Sequence, residues 1–329
     1  MPKKKKKNNK KQKKNHFFGN IFFCLILGVV IYFGVNTFSF AQTLKFAQIS
    51  DVHLSNKNVD TSYKVLASSQ ELFEDAIEQI NETPNIDFVI ETGDLVDKPR
   101  KELVEKACKQ MNRLHSPWYF AFGNHDAAVG TTFTKDKYFE YVKEHNQNMK
   151  SGSYYYSFIP KAGYRAIILD PSIDTRITSN GELPKEQLDW LDTELSKAKL
   201  QQQIPLIFMH FPLQEPYPSF HHRIINAQDM QKILDKYDMP IAVFTGHYHA
   251  AKIYQNGHIL HVSTPSLVTY PNAFRIITIN NLKDKVIFTF DFRETRLKEI
   301  QKKAKLMTFS ASTLKGEDSD HNTVVIMQK

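Results

Sequence analysis

The stretch that decides the fold runs from an apolar strand into a polar turn: Trp118-Tyr119-Phe120-Ala121-Phe122-Gly123-Asn124-His125-Asp126. Its first five residues are apolar or aromatic and predict a short buried strand that ends at a glycine. Asn124 could offer an amide oxygen to a metal ion, and His125 could offer a titrating imidazole to a substrate. Neither is needed merely to make a turn, so the turn is a candidate functional site if other strand ends converge on it.

The segments before this turn alternate between strand and helix patterns. Strand-like stretches occupy Leu44–Ser50 and Ile86–Glu91, and helical periodicity occupies Tyr63–Asn81 and Lys101–His115. This β-α-β-α-β order predicts adjacent parallel strands with helices packed against the sheet.

The segments after the turn predict a second sheet. Two helices are predicted, at Pro184–Leu200 and Asp229–Tyr237. Strands are predicted at Tyr154–Phe158, Tyr164–Leu169, Ile204–Met209, Ile241–Thr245, Lys252–Tyr254, Ile259–Val262, Phe274–Ile279 and Val286–Asp291. Because strands dominate after Ala251, we expect this second sheet to be largely antiparallel. Residues 301–329 are expected to form a polar C-terminal tail, with disorder left open.

The net charge is concentrated at the N-terminus. Nine lysines lie between Met1 and Lys14, and removing them from the formal charge of +8 leaves −1 for the rest of the chain. The body of the protein is therefore close to neutral, and no nucleic-acid partner is expected.

An uncharged segment follows the lysines, from Asn15 to Leu44, and it includes the apolar run Ile21–Val35. Two interpretations are open. Ser39-Phe40-Ala41 has small residues at the spacing of a signal-peptide cleavage site, whereas the length of residues 17–41 favours a retained signal-anchor, a transmembrane helix that crosses a hydrocarbon core about 30 Å thick. In either case residues 1–16 form a basic cytoplasmic tail, and the domain beyond is membrane-anchored or secreted, on the non-cytoplasmic side.

Polar residues of one chemical kind follow five of the predicted strands. They are Asp51 and His53, then Asp94, then Asn124 and His125, then His210, and finally His247 and His249. Ligand sites form at the C-terminal strand edges of α/β sheets, so these five turns are predicted to meet. Leaving His125 aside, two aspartates, an asparagine and four histidines without cysteine suit Mn, Fe, Zn or Co, and seven ligands suit two ions that share one carboxylate.

Each of these motifs also has an ordinary structural interpretation. An Asp-x-His or Gly-Asp sequence is common in turns, and a single histidine in a core is more often hydrogen-bonded than metal-bound. Five independent strand ends that all carry ligand chemistry are not expected by chance. The remaining histidines lack this support, although His221 and His222, in a loop near Arg223, remain intermediate cases.

The ordered motifs resemble those of the calcineurin-like metallophosphoesterase family. The blocks are Asp51-Val52-His53, Gly93-Asp94-Leu95-Val96-Asp97, Gly123-Asn124-His125-Asp126, Met209-His210 and Gly246-His247-Tyr248-His249. The resemblance spans about Leu44 to Asp291 and implies a metallophosphoesterase domain at residues 44–300. It implies an α/β fold, a four-layer αββα sandwich of two mixed sheets, here preceded by one N-terminal membrane segment. The blocks look most like those of class III cyclic-nucleotide phosphodiesterases.

The resemblance also implies roles for individual residues. One divalent ion would be held by Asp51, His53 and His249, a second by Asn124, His210 and His247, and Asp94 would bridge them; the ions would be Mn, Fe or Zn. Together they would activate a bridging water. His125 would remain free to protonate the leaving group, and Asp97 would pair with the His125 imidazole and orient it.

The expected activity is hydrolysis of a phosphoester, with a phosphodiester as the leading substrate class. The alternatives are a phosphomonoesterase acting on nucleotides, phospholipid headgroups or phosphoprotein, and a membrane-tethered metal-binding module without catalysis. Substrate choice is expected to lie in two loops, Leu213–Arg223 and Val262–Asn272.

Overall fold

Two six-stranded sheets form the framework of the protein in a computed structural model, which describes residues 42–219 and 221–329. In chain order the strands are β1 (Gln42–Ile49), β2 (Phe88–Glu91), β3 (Trp118–Phe120), β4 (Tyr156–Phe158), β5 (Tyr164–Ile168), β6 (Ile204–Phe208), β7 (Ile241–Thr245), β8 (Lys252–Asn256), β9 (Ile259–Ser263), β10 (Ala273–Asn281), β11 (Lys285–Glu294) and β12 (Val324–Gln328). The helices are α1 (Ser69–Glu82), α2 (Lys101–Met111), α3 (Lys135–His145), α4 (Lys185–Leu200), α5 (Ala227–Leu234), α6 (Lys298–Met307) and α7 (Ala311–Lys315).

Both sheets are mixed, as expected. The first has the order β12-β11-β10-β1-β2-β3, in which β1, β2 and β3 are parallel and the other pairs are antiparallel. The second has the order β4-β5-β6-β7-β9-β8, with a parallel centre and antiparallel edges. The prediction of a largely antiparallel second sheet is wrong. The strands after Ala251 divide between the sheets, and a local hydrophobic pattern does not specify which sheet a strand joins.

Aromatic residues join the two sheets face to face. Phe46 of β1 stacks on Phe88 of β2 with ring centroids 4.8 Å apart, and Phe46 also meets Phe208 of β6 at 5.5 Å and Phe244 of β7 at 5.2 Å. All four side chains are buried. Aromatic pairs of this kind add about 0.5–1.5 kcal/mol each beyond the burial of their area, so they help to fix one sheet against the other.

Helices cover the outer faces of the sheets. Successive side chains of β6 alternate, so that Phe208 enters the core between the sheets while Ile207 packs in a separate cluster with Leu191 of α4 and Met230 of α5. Helices α1, α2 and α3 bury their apolar residues in the same cluster as the first sheet. The expected α/β sandwich is therefore present in the described residues.

The first helix begins later than its periodicity predicts. Residues 63–65 are not helical, a 3₁₀ turn covers Leu66–Ser68, and α1 begins at Ser69. The backbone at Thr61 and Lys64 is instead joined by a pair of hydrogen bonds of 3.1 and 2.8 Å. This short turn directs Lys64 away from the helix and towards the strand ends.

Helix α3 has no counterpart in the sequence prediction. It contributes Tyr138, Phe139 and Val142 to the core, and the hydroxyl of Thr134 accepts a hydrogen bond from the Lys137 amide at its N-terminus. A threonine cap followed by apolar residues at helical spacing is the signal that could have identified it.

The C-terminal residues 301–329 continue the fold, so the expectation of a polar tail is wrong. They form most of α6, all of α7, a 3₁₀ turn at Asp318–Asp320 and strand β12, which pairs with β11. The buried carboxylate of Asp320 accepts hydrogen bonds from the amide of Ile253 at 2.9 Å and the ammonium of Lys252 at 3.2 Å. Backbone pairing, this buried acid and the buried side chains of Ala304, Leu314 and Met327 hold the segment, and these apolar residues are too widely spaced to form a visible hydrophobic pattern.

The predicted tail at 1–16 and the signal peptide or anchor at 17–41 lie outside the described residues. Within residues 42–219 and 221–329, no helix combines the length and the apolar character needed to span a membrane.

Candidate metal centre

All five predicted turns meet at the C-terminal ends of β1, β2, β3, β6 and β7. Seven of the eight side chains from these turns fall into overlapping groups whose candidate ligand atoms lie within 4.8 Å of one another. The groups are Asp51, His53 and His249; His53, Asp94 and His125; and Asp94, His210 and His247. The two sheets thus build one cluster.

The first group lies between β1 and β7. His249 Nε2 is 3.1 Å from Asp51 Oδ1 and 3.4 Å from His53 Nε2, and His53 Nε2 is 3.8 Å from the same Asp51 oxygen. All three side chains are buried. One carboxylate oxygen and two imidazole nitrogens therefore face a common point, which suits a divalent cation with nitrogen and oxygen ligands.

The second group lies between β2, β6 and β7. His210 Nε2 is 3.3 Å from Asp94 Oδ2 and 3.0 Å from His247 Nδ1. The same Asp94 oxygen is 3.6 Å from His53 Nε2 of the first group. Asp94 is therefore the carboxylate within reach of both groups.

Two buried oxygens provide a direct test of whether these residues fit cations. Asp51 Oδ1 and Asn124 Oδ1 are buried, and no hydrogen bond of good geometry reaches either from the described residues, although His249 Nε2 lies 3.1 Å from the Asp51 oxygen. An unsatisfied buried oxygen costs about 1–3 kcal/mol. A cation would satisfy both oxygens, so the donor set fits metal ions.

Hydrogen bonds from the surrounding structure select the nitrogen that each histidine presents. His210 Nδ1 lies 2.8 Å from the Thr92 carbonyl and His249 Nδ1 lies 2.8 Å from Thr269 Oγ1, so both present Nε2 to the cluster. His247 is reversed, because its Nε2 lies 2.9 Å from the Ser179 carbonyl and leaves Nδ1 facing inward. Partners of this kind fix ring orientation and raise the affinity of a histidine for a metal.

The two carboxylates are ionised within the cluster. Burial by itself raises the pKa of Asp51, but the adjacent His249 and His210 outweigh it and leave that pKa below its ordinary value. Asp94 behaves in the same way, with burial opposed chiefly by His210, and its pKa falls well below the ordinary value. Both groups therefore offer anionic oxygens at neutral pH.

Three of the four histidines predicted as ligands are neutral. Burial lowers the pKa of His53, His247 and His249, which leaves a nitrogen lone pair available to a metal. His210 differs: burial lowers its pKa, but Asp94 outweighs that effect and raises it to about 9. His210 would release its proton on binding a cation.

Two glycines let the turns approach one another. A Cβ atom at Gly123 would collide with the carboxylate of Asp94, and one at Gly246 would collide with the side chains of Ser50 and Asp51.

The backbone of the cluster is also unusual, because several of its residues have positive φ: Asp51 (51°), His53 (44°), Asp94 (62°), His247 (68°) and His249 (55°).

A sequence model of the calcineurin-like phosphoesterase family matches residues 44–251. The chain belongs to this family. It is a hydrolytic phosphoesterase, and its family is metal-dependent.

Two relatives of known activity resemble this phosphoesterase. A 3′,5′-cyclic-nucleotide phosphodiesterase from Nostoc sp. is 27% identical over 226 residues, which cover 68% of this chain and 78% of that protein. A manganese-dependent ADP-ribose/CDP-alcohol diphosphatase from Arabidopsis thaliana is 23% identical and covers 68% of this chain and 83% of its own. A solved dimetal phosphatase from Danio rerio shares the fold, with a TM-score of 0.60 and 18% identity over 74% of this chain and 95% of that one.

His125 lies beside the ligand groups, but it is oriented differently from the sequence prediction. Its Nδ1 is 2.8 Å from the main-chain carbonyl of Asp97, while the Asp97 carboxylate pairs with Lys57 Nζ at 2.8 Å. The predicted contact between the His125 imidazole and the Asp97 carboxylate is therefore wrong. Residue 97 orients the ring through its backbone, and a carbonyl has no signature in the sequence.

Asp126, for which the sequence suggested no role beyond the turn, supports the phosphoesterase site. Its buried carboxylate accepts hydrogen bonds from the amides of Asp94 at 2.6 Å, Gly123 at 3.1 Å and Val96 at 3.3 Å, and from the hydroxyl of Tyr138 at 3.0 Å. It thereby joins the turn after β2 to the turn after β3. An aspartate directly after Asn-His in a turn was the available signal.

Lys64 is a second residue that sequence reasoning missed. Its Nζ lies 3.0 Å from His53 Nε2 and 3.4 Å from His125 Nε2. Lys64 lies within the helical periodicity of Tyr63–Asn81, and nothing in that pattern indicates that its side chain reaches the site.

The phosphoesterase site opens into a cavity of about 720 Å³. Lys57, Tyr63, Lys64, Asn124 and His125 are among the residues that line it. This volume suits a small-molecule ligand.

The two predicted substrate loops differ in what they contact. In the first loop, His221 and His222 are both exposed, and the ring of His222 lies 5.2 Å from the ring of His247. The second loop contributes Thr269, whose hydroxyl contacts His249. Substrate contact by either loop stays a prediction.

Proposed function

We propose that this phosphoesterase hydrolyses phosphodiesters at a centre that holds two divalent metal ions. The observation that carries the proposal is the junction at Asp94, whose Oδ2 lies 3.6 Å from His53 Nε2 and 3.3 Å from His210 Nε2. Two groups of nitrogen and oxygen donors that share one carboxylate favour two ions over one.

The assignment of ligands follows from this arrangement. Asp51, His53 and His249 would hold one ion, His210, His247 and Asn124 the other, and Asp94 would contact both. The buried, unpartnered oxygens of Asp51 and Asn124 among the described residues support it. Such ions lower the pKa of a coordinated water and neutralise negative charge on phosphoryl oxygens.

His125 would supply the proton that the departing oxygen needs. Because its Nδ1 donates to the Asp97 carbonyl at 2.8 Å, its Nε2 carries the transferable proton when the ring is protonated. His125 is also one of the residues that line the cavity, where an ester would bind.

A disubstituted phosphate is favoured over a monoester. One relative is named for cyclic nucleotides and the other for ADP-ribose and CDP-alcohols. In each of these substrates the phosphorus that is attacked carries two substituents. The cavity of about 720 Å³ leaves room for the second substituent.

The test compares a diester with a monoester. Protein stripped of metal with a chelator should be inactive. Reloading with Mn²⁺ should give two ions per chain and faster hydrolysis of bis-p-nitrophenyl phosphate than of p-nitrophenyl phosphate. A reversed preference would support the phosphomonoesterase alternative, and two bound ions with neither activity would contradict the proposed function.

We also propose that the catalytic domain lies on the non-cytoplasmic side of a membrane. The proposal rests on the lysine block at Met1–Lys14 and the uncharged segment Asn15–Leu44. Mature protein that begins at Gln42 would indicate a removed signal peptide, and a start at Met1 or Pro2 would indicate a retained anchor.

A further inference from the structure

Lys64 stands out because its backbone is held in place and its ammonium group has no carboxylate partner in direct contact among the described residues. The backbone hydrogen bonds between Thr61 and Lys64 close a tight turn, and the next amide, that of Val65, donates to the Val268 carbonyl at 2.8 Å. This second bond ties the turn to the loop after β9. The side chain of Lys64 therefore enters the cavity from a fixed point.

Among the described residues no carboxylate touches the ammonium group of Lys64, and Asp94, Asp51 and Asp97 attract it only from beyond ion-pair distance. The neighbours of Lys64 Nζ are the imidazole nitrogens of His53 and His125, and no carboxylate of the described residues pairs with it. Lys57, which lines the same cavity, is paired with Asp97 at 2.8 Å. An unpaired, partly buried ammonium beside a substrate cavity favours an anionic ligand.

The position of His125 indicates which part of the ligand the ammonium meets. Lys64 Nζ lies 3.4 Å from His125 Nε2, the atom assigned to the leaving group. Its other neighbour, His53 Nε2, would be directed at a cation, which repels an ammonium. The flexible stem of lysine lets Nζ remain on the His125 side, where a departing oxygen would lie within reach of both residues.

We propose that Lys64 donates a hydrogen bond to the leaving-group oxygen of the phosphoester and stabilises the negative charge that develops there. The inference rests on the proposed function. Water attacks the phosphorus, the bond between phosphorus and the leaving oxygen breaks, and its electron pair moves to that oxygen. His125 Nε2 delivers the proton, the attacking water releases one to solvent, and Lys64 transfers none.

A leaving-group comparison tests this role. The variants are Lys64→Met, which removes the charge, and Lys64→Arg, which keeps it and remains informative if the first fails to fold. Lys101→Met is the matched control, because Lys101 is an exposed lysine at the start of α2 that does not line this cavity. The substrates are bis-p-nitrophenyl phosphate, whose leaving group departs easily, and diphenyl phosphate, whose leaving group departs poorly.

We expect kcat/KM of Lys64→Met to fall about tenfold further for diphenyl phosphate than for bis-p-nitrophenyl phosphate, because the poorer leaving group depends more on stabilisation of its charge. In Lys64→Arg, which keeps the charge, the extra loss on diphenyl phosphate should be smaller. Lys101→Met should show no extra loss. All variants should retain the metal content of the wild type. Equal losses on the two substrates, or a loss of metal that accounts for the whole effect, would overturn the proposal.

A binding measurement separates failure of this inference from failure of the proposed function. If the wild type hydrolyses neither diester, the proposed function fails. The contact with Lys64 is then tested by titrating the metal-loaded protein with inorganic vanadate, a phosphate analogue, and following its thermal stability. Weaker binding of vanadate by Lys64→Met than by Lys101→Met would show that Lys64 contacts a bound anion. Equal binding by the two variants would show that it does not.

Discussion

The two sheets contribute different chemistry to one site. The strand ends of the first sheet carry every oxygen of the predicted ligand set together with His53 and His125, whereas those of the second carry only imidazoles, from His210, His247 and His249. The residues that support His125 also lie on the first-sheet side. Changes to the residues that position His125, which lie on the first-sheet side, should therefore affect turnover, whereas changes to the residues that position the imidazoles of the second sheet should mainly affect metal affinity.

The largest effect is expected from His125→Ala. Removal of the proton donor should lower kcat by a factor on the order of 10² or more while two metals remain bound. Steady-state kinetics with metal analysis of the same sample checks this. Unchanged turnover would show that His125 is not the proton donor. The proposed difference between the contributions of the two sheets would then also be wrong.

Asp126→Asn should have the next largest effect. The amide has one acceptor oxygen where the carboxylate has two, so some of the hydrogen bonds from Asp94, Gly123, Val96 and Tyr138 are lost. We expect a loss of roughly 1–3 kcal/mol in the free energy of unfolding and a fall in turnover of about tenfold as Asn124 and His125 shift.

Urea denaturation and kinetics at saturating metal measure the two effects of Asp126→Asn separately. A variant with the stability and the turnover of the wild type would show that the turns after β2 and β3 do not depend on this carboxylate.

Thr269→Val tests the second sheet. It removes the hydroxyl 2.8 Å from His249 Nδ1, so the ring loses its orienting partner. Metal affinity should fall by about tenfold, within the range known for such supporting residues, and excess metal should restore kcat. A fall in kcat that persists at saturating metal would show that the second sheet acts on the chemistry directly.

Asp97→Asn should have the smallest effect. The carbonyl that orients His125 is unchanged, so kcat should fall by less than about threefold, with only the pairing to Lys57 lost. A loss of kcat as large as that of His125→Ala would show that the Asp97 carboxylate has the orienting role predicted from the sequence.

Much of the site could be predicted because each ligand follows an apolar strand. The residue type and the end of a strand can both be recognised in a sequence, as at Asp51 and His210. Parallel strands end at the same edge of a sheet, so residues that follow them can be predicted to lie close together. The ordered motifs and the α/β class follow from the same signals.

Other features could not be predicted because they depend on the main chain or on tertiary pairing. Residue 97 acts through a carbonyl, and Asp126 binds amides whose convergence exists only after folding. Lys64 reaches the site through a turn that interrupts a helical pattern. Strand β12 is mostly exposed, and its pairing with β11 uses backbone groups that every residue possesses.

The left-handed backbone at Asp51, His53, Asp94, His247 and His249 has a consequence for the lifetime of the protein. Such a conformation costs about 1–2 kcal/mol at residues other than glycine, and less at aspartate and histidine than at bulkier residues. Ions that bind only the folded form offset that cost by mass action. Metal supply would then set how often the fold opens to proteases, so a shortage of the metal would remove the enzyme itself along with its activity.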